Sequence, residues 1–266
     1  MRGTESPDDR VVAAMQRGVA SMRSSSAQIV FAGDFDAAVR SYTGSSTYTA
    51  DRGTGTVAAK TLKTPHGSVI VVNAVAIEAA EEIAIERLLA HEAGHVLMLK
   101  RGETLEGHRH LASAEWEWHL LCLAGFALDE ARVELAVGAA GYPGTDGASA
   151  EHLVEVLHAT TVDLLVLLQD PASSDVRHLM ERVIGLLDRL TKVLAYAAAH
   201  AIVTGQPPDV SGQGSLALAA WDDYAAPTWA RRLTFYSDLP PATVPMSAAA
   251  QEAALTAGLV LALAFQ

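Results

Sequence analysis

The hydrophobic pattern changes its period partway along the chain. Near the start, "VVAAMQRGVASM" places its apolar residues on one face of a short amphipathic helix, and the Ser-rich "RSSSA" ends it. "QIVFAG" and "GSVIVVNAVA" are β-branched runs bounded by glycine, the pattern of strands. Between them, "SYTGSSTYTADRGTGTVAAKTL" is rich in Gly, Thr and Ser and predicts a loop, a hairpin or both. From about Ile77 onward the spacing is helical. The interruptions "RGETLEGHRH", "GYPGTDGAS", "TGQPPDVSGQG" and "SDLPPATVP" hold the Gly and Pro that end helices. The expected fold class is α+β, mostly α. A small sheet falls within about 27–76 and a larger helical part within about 77–266, read as one domain because no linker is long or polar enough to divide it.

Composition sharpens this picture. Half of the residues are hydrophobic and only 6% are aromatic, so the core should be Ala, Leu and Val, which favours helices over a sandwich or barrel. A formal net charge of −12, with no Lys/Arg run, argues against a nucleic-acid partner. Cys122 is the single cysteine, which excludes an internal disulfide framework and fits a reducing, cytoplasmic setting. "MRGTESPDDR" is polar and acidic rather than signal-like. The C-terminal run "AALTAGLVLALAF" falls short of the roughly 20 residues a membrane span needs, so a packed terminal helix and no membrane partner are expected.

Candidate chemistry lies in "LLAHEAGHVLML", residues 88–99. Its helix begins with Glu81 and Glu82, ends with Lys100 and Arg101, and stops at Gly102, a charge order that complements the helix dipole. Residues four apart share a face, so His91 and His95 can direct their imidazoles at one point and hold Zn²⁺. Glu92 lies to the side of that point. It is poorly placed as a ligand but can reach a metal-activated water as general base, the logic of H-E-x-x-H. Buried without partners, three such groups would each cost a few kcal/mol.

A catalytic zinc wants a third protein ligand. "FALDEARVELAV" supplies Glu130 and Glu134 one turn apart, amid Phe126, Leu128, Val133, Leu135 and Val137. Glu130 is the leading candidate, with Glu134 orienting a ligand histidine through its free ring N–H. Glu134, Asp129 and His119 remain alternatives. The plain reading is an acidic pair on a solvated face, with Arg132 in a local salt bridge.

The succession of "SVIVVN", "LLAHEAGH" and "DEARVELA" resembles the gluzincin-type HExxH zinc metallopeptidases. More narrowly it resembles the ImmA/IrrE-like group, intracellular enzymes associated with cleaving repressor proteins. The resemblance covers about residues 66–140. It implies a zincin-like core, Zn²⁺ as cofactor, and a peptide or protein as substrate. By the same resemblance His91 and His95 are ligands, Glu92 is the general base and Glu130 is the third ligand, with Glu134 where gluzincins often place a supporting acid. Two features depart from it. "KRGETLEGHRHLASAEWEWHL" is a longer spacer than that group has, and "VGAAGYPG" replaces the expected ending of the second helix. Two other functions stay open: a non-catalytic zincin-like regulatory or binding protein, and a zinc amidase acting on a small metabolite.

Arg132, His119, His158, Tyr224 and Tyr236 are candidates to stabilise a developing oxyanion. His108 and His110 in "GHRHL" are expected to be solvated loop histidines. "AEWEWHLL" predicts a helix start with one of Trp116 and Trp118 buried, and Cys122 is expected to be a buried, inert thiol. The helices around 151–170 and 175–205 have apolar faces wide enough to be core.

Overall fold

A computed structural model describes residues 7–23, 27–51, 55–142, 144, 149–211 and 214–263. The serines of "RSSSA", most of "GYPGTDGAS", part of "TGQPPDVSGQG" and the end of the C-terminal run lie outside the described residues. The fold is α+β and mostly α: a three-stranded sheet, with helices making up most of the remainder. The chain divides into two compact units, residues 1–103 with 139–143, and residues 104–138 with 144–266. No helix among the described residues is long and apolar enough to cross a membrane.

The first unit is built on the sheet. Its elements are α1 (Asp9–Ser21), β1 (Gln28–Ala32), α2 (Phe35–Thr43), β2 (Ala59–Thr64), β3 (Gly67–Asn73), the single turn α3 (Ala74–Ile77) and α4 (Glu82–Lys100). Strand order is β1-β3-β2. β1 runs parallel to β3 from Gln28↔Val69 to Ala32↔Asn73, and β2 runs antiparallel from Ala59↔Val72 to Thr64↔Gly67. The continuous "VIVV" run has a direct cause, because central β3 is covered on both faces. Val69 and Val71 pack with Phe35 and Val39 of α2, whereas Ile70 and Val72 pack with Met15 of α1 and Ile85, Leu89 and Val96 of α4. Each such buried side chain contributes about 1.5–3 kcal/mol.

The Gly/Thr/Ser-rich stretch is more ordered than a loop. It holds the end of α2 and, after Asn73's partner Val57, strand β2, which closes a hairpin with β3. α1 lies close enough to α4 that a β-carbon on Gly18 would collide with the Glu86 carbonyl. Arg17 then spans Glu82 (2.8 Å) and Glu86 (2.6 Å) at the surface. α4 ends as expected at Gly102, whose φ of 72° is left-handed.

The second unit is helical. It contains a 3-10 segment (Leu105–Leu111), α5 (Glu115–Ala139, through Gly138), α6 (Ala150–Gln169), a 3-10 turn (Pro171–Ser174), α7 (Val176–Thr204), α8 (Ser215–Tyr224), α9 (Ala226–Ser237) and α10 (Ala248–Leu263). Leu153, Val156 and Leu157 of α6 pack with Leu190, Val193 and Leu194 of α7, as the wide apolar faces predict. α5 packs small residues, Ala127 and Ala131, against Ala195 and Ala198 of α7 and Tyr236 of α9. Leu121 and Leu128 of α5 meet Ala254 and Leu255 of α10.

Candidate metal centre

α4 is buried on most of its circumference, and this sets its polar residues apart. Ile85, Leu89, Glu92 and Val96 follow the helical repeat along the face that meets the sheet. Glu92 is 6% exposed, and its Oε2 accepts the hydroxyl of Thr61 on β2 at 2.7 Å. The same hydroxyl lies 3.0 Å from the Glu92 main-chain oxygen. The Glu92 carboxylate is therefore seated against an edge strand by a hydrogen bond that the sequence pattern does not supply.

His91 and His95 lie one turn apart and half-buried, with rings edge to face at a centroid distance of 4.9 Å. Their Nε2 atoms are 3.2 Å apart. Tetrahedral zinc with Zn–N bonds of 2.0–2.1 Å requires an N···N edge of about 3.4 Å, so this pair fits a shared metal with little adjustment. The spacing of four residues brought the two nitrogens together as expected.

In the second unit, α5 is one continuous helix through Trp116 and the "DEARVELA" segment. Glu130 is half-buried and Glu134 is 8% exposed. The Tyr196 hydroxyl of α7 donates to Glu130 Oε2 at 3.0 Å. Tyr196 was missed because "VLAYAAAHA" reads as core, and its one polar atom among alanines was the available signal. Asp129 is half-buried, and His119 faces Glu115 at 3.6 Å.

Arg132 does not lie on a solvated helix face. It is 1% exposed, and its guanidinium donates to the carbonyls of Pro240 and Val244, each at 2.9 Å. Its own carbonyl accepts from Ala242 at 2.8 Å. This residue ties α5 to the segment after α9, which gives it a structural reason to be there. Tyr236 is 2% exposed beside Arg232. Burial pushes the phenol up and the guanidinium down from their ordinary values, the second despite the phenol's opposing pull. His158 is exposed and Tyr224 half-buried.

Three smaller expectations change. Trp116 is 48% exposed, and Trp118 is half-buried rather than buried, packed against the Leu121, Leu128 and Leu255 cluster with the Arg109 guanidinium 5.3 Å from its ring. Cys122 is half-buried rather than buried, and desolvation raises its thiol. His108 is not solvated but 7% exposed, whereas His110 is exposed.

Compared with family models, curated proteins and solved structures, the chain matches none.

Proposed function

We propose that the protein is a zinc-dependent metallopeptidase with a zincin-like core, in which His91, His95 and Glu130 bind Zn²⁺ and Glu92 is the general base. The observation that carries this reading is the pair of imidazole Nε2 atoms 3.2 Å apart on α4, with a buried glutamate next to the first of them. Glu130 is supported by its half-buried carboxylate and the Tyr196 hydroxyl on Oε2, since metal-ligating carboxylates are themselves held by hydrogen bonds. Buried Glu134 is the supporting acid in this scheme.

The zinc, when bound, supplies Lewis acidity toward water and the scissile carbonyl. Glu92 takes a proton from the attacking water and delivers it to the departing amine nitrogen. Thr61 fixes the carboxylate for that transfer through its 2.7 Å hydrogen bond. A peptide suits the site better than a small metabolite because β2, which carries Thr61, is an edge strand of the sheet. An extended chain laid along such a strand gains main-chain hydrogen bonds.

The test is zinc analysis of purified protein together with hydrolysis of a peptide library. The wild type is expected to hold close to one zinc on this centre, and His91→Ala, His95→Ala and Glu130→Ala to weaken or abolish it. Glu92→Gln should keep the metal and lose about 10²–10⁴-fold in rate. Metal content unaffected by either histidine change would end the reading. Retained zinc with equal biological activity in Glu92→Gln would make the protein a non-catalytic zincin-like binding module.

A further inference from the structure

α6 is apolar on two opposite faces, and one of them stands open to solvent. Leu153, Val156, Leu157, Thr160 and Leu167 repeat at helical spacing and are buried, the first three against α7. Half a revolution away from that stripe, at about 100° per residue, stand Val162 (43% exposed), Leu165 (55%) and Val166 (63%). Leu168 and, across the turn, Val176 at the start of α7 are exposed as well. A helix that is apolar on both sides is made to be covered on both, and exposed apolar side chains gathered in this way mark an interaction surface.

Charge is unevenly spread along this outer face. Toward the N-terminus of α6 the stripe continues through His158 and Glu155 to Glu151, all exposed. At the other end, the first turns of α7 expose Arg177 and Arg182 against one glutamate, Glu181. The aspartates of the turn are engaged within it. Asp170 Oδ1 accepts from the Ala172 amide at 2.9 Å, and Asp175 Oδ1 accepts from the Arg177 amide at 2.8 Å. The surface is therefore acidic at one end, apolar in the middle and basic at the other, which makes it complementary to itself when turned end for end.

We propose that this face is the interface between two copies of the chain, with α6 packed antiparallel against α6 of the second copy about a twofold axis. Setting Val162 opposite Val166 of the other copy puts the axis beside Leu164 and brings both Leu165 side chains next to it. Glu155 then lies about 14 Å from the axis along the helix, at a rise of about 1.5 Å per residue. α6 ends at Gln169, about 8 Å from the axis, so Glu155 reaches past the end of the opposing helix to the turn that carries Arg177. Symmetry makes each of these contacts twice. The two α6–α7 hairpins form a four-helix arrangement with the apolar stripe at its centre.

The experiment is analytical ultracentrifugation and light scattering of the full chain over a concentration series reaching about 100 μM. Wild type should pass from monomer to dimer within that series. Val166→Glu puts a charge into the apolar centre from both copies at once and should weaken the dimer at least about 100-fold. Its circular dichroism spectrum should match wild type, because Val166 is exposed. Glu155→Arg and Arg177→Glu should each weaken association about tenfold, and the two together should restore it. Should Val166→Glu not fold, this charge exchange decides alone. A wild type that stays monomeric throughout would overturn the interface. So would flotation of that monomer with vesicles of neutral lipid, which would assign the face to a membrane. A dimer indifferent to Val166→Glu, or a charge-exchanged chain no tighter than either single variant, would overturn it as well.

Discussion

α4 and α5 are alike in sequence character and differ in what their buried polar groups meet. Both are apolar around most of their circumference, and both bury charged side chains that a purely hydrophobic helix has no use for. On α5 the buried guanidinium of Arg132 is answered by main-chain carbonyls of the 240–244 segment. On α4 the imidazoles present nitrogen to nitrogen, and the carboxylate between them takes a hydroxyl from a neighbouring strand. A polar residue inside an apolar helix therefore announces a partner without naming its kind. Donor-only groups such as arginine are readily satisfied by carbonyls, whereas two imidazole nitrogens 3.2 Å apart can share either a proton or a metal.

The largest expected effect breaks this comparison from the α5 side. Arg132→Leu keeps much of the volume and orphans two carbonyls, each worth about 1–3 kcal/mol if left unsatisfied. Val244 is 46% exposed, so water can reach part of that segment, and the loss of stability should be about 2–3 kcal/mol. Chemical denaturation measures it, and zinc content should not change. A variant of native stability that has lost its zinc would move Arg132 into the metal centre and remove the contrast.

The sequence was most legible where period and chemistry agreed. The histidine spacing on α4, the both-faces-buried run of β3 and the amphipathic α6 and α7 all follow from side chains repeating at the period of their element. β2 was left between a loop and a hairpin because its "AKTLKT" is weakly apolar, with Lys60 and Lys63 that suit an edge strand, and because glycines and serines precede it. α2, absent from the sequence expectation, is short and starts on an Asp34 cap rather than on a long apolar stripe. Contacts made across long sequence separations could not be read at all. Thr61 to Glu92, Tyr196 to Glu130 and Arg132 to Val244 depend on tertiary packing, which no local pattern encodes.

A smaller effect sharpens the α4 side. Thr61→Val is nearly isosteric and removes only the hydroxyl that holds Glu92. One hydrogen bond to a charged group is worth about 1.5 kcal/mol or more, so peptide hydrolysis should fall about tenfold. Bound zinc should stay constant, because the Thr61 hydroxyl is engaged with Glu92, which is not a ligand in the proposed site. Equal rates in wild type and Thr61→Val would mean that the hydroxyl merely satisfies a buried carboxylate, as the carbonyls satisfy Arg132, and the two helices would then be alike.

The smallest effect lies at the start of α5, where a carboxylate is satisfied in the open. Glu117 Oε2 accepts from the Ser113 amide at 2.7 Å, the Ser113 hydroxyl at 2.5 Å and the Ala114 amide at 3.2 Å, closing the helix's first turn. The Ser113 hydroxyl, then its amide, hold this carboxyl below the usual carboxylate range. A depressed folded-state pKa contributes stability that is present above the unfolded value and fades as pH falls through the folded one. Glu117→Gln retains an acceptor oxygen but not the charge, so it should lower Tm slightly at about pH 7. Melting curves from about pH 7 to about pH 3 should show the two proteins converging as the wild-type carboxyl takes up its proton. A gap that stays constant over that range would assign the effect to hydrogen-bond geometry alone. It would leave α5 with no charge-dependent contact at its N-terminus to set beside the carboxylate chemistry proposed for α4.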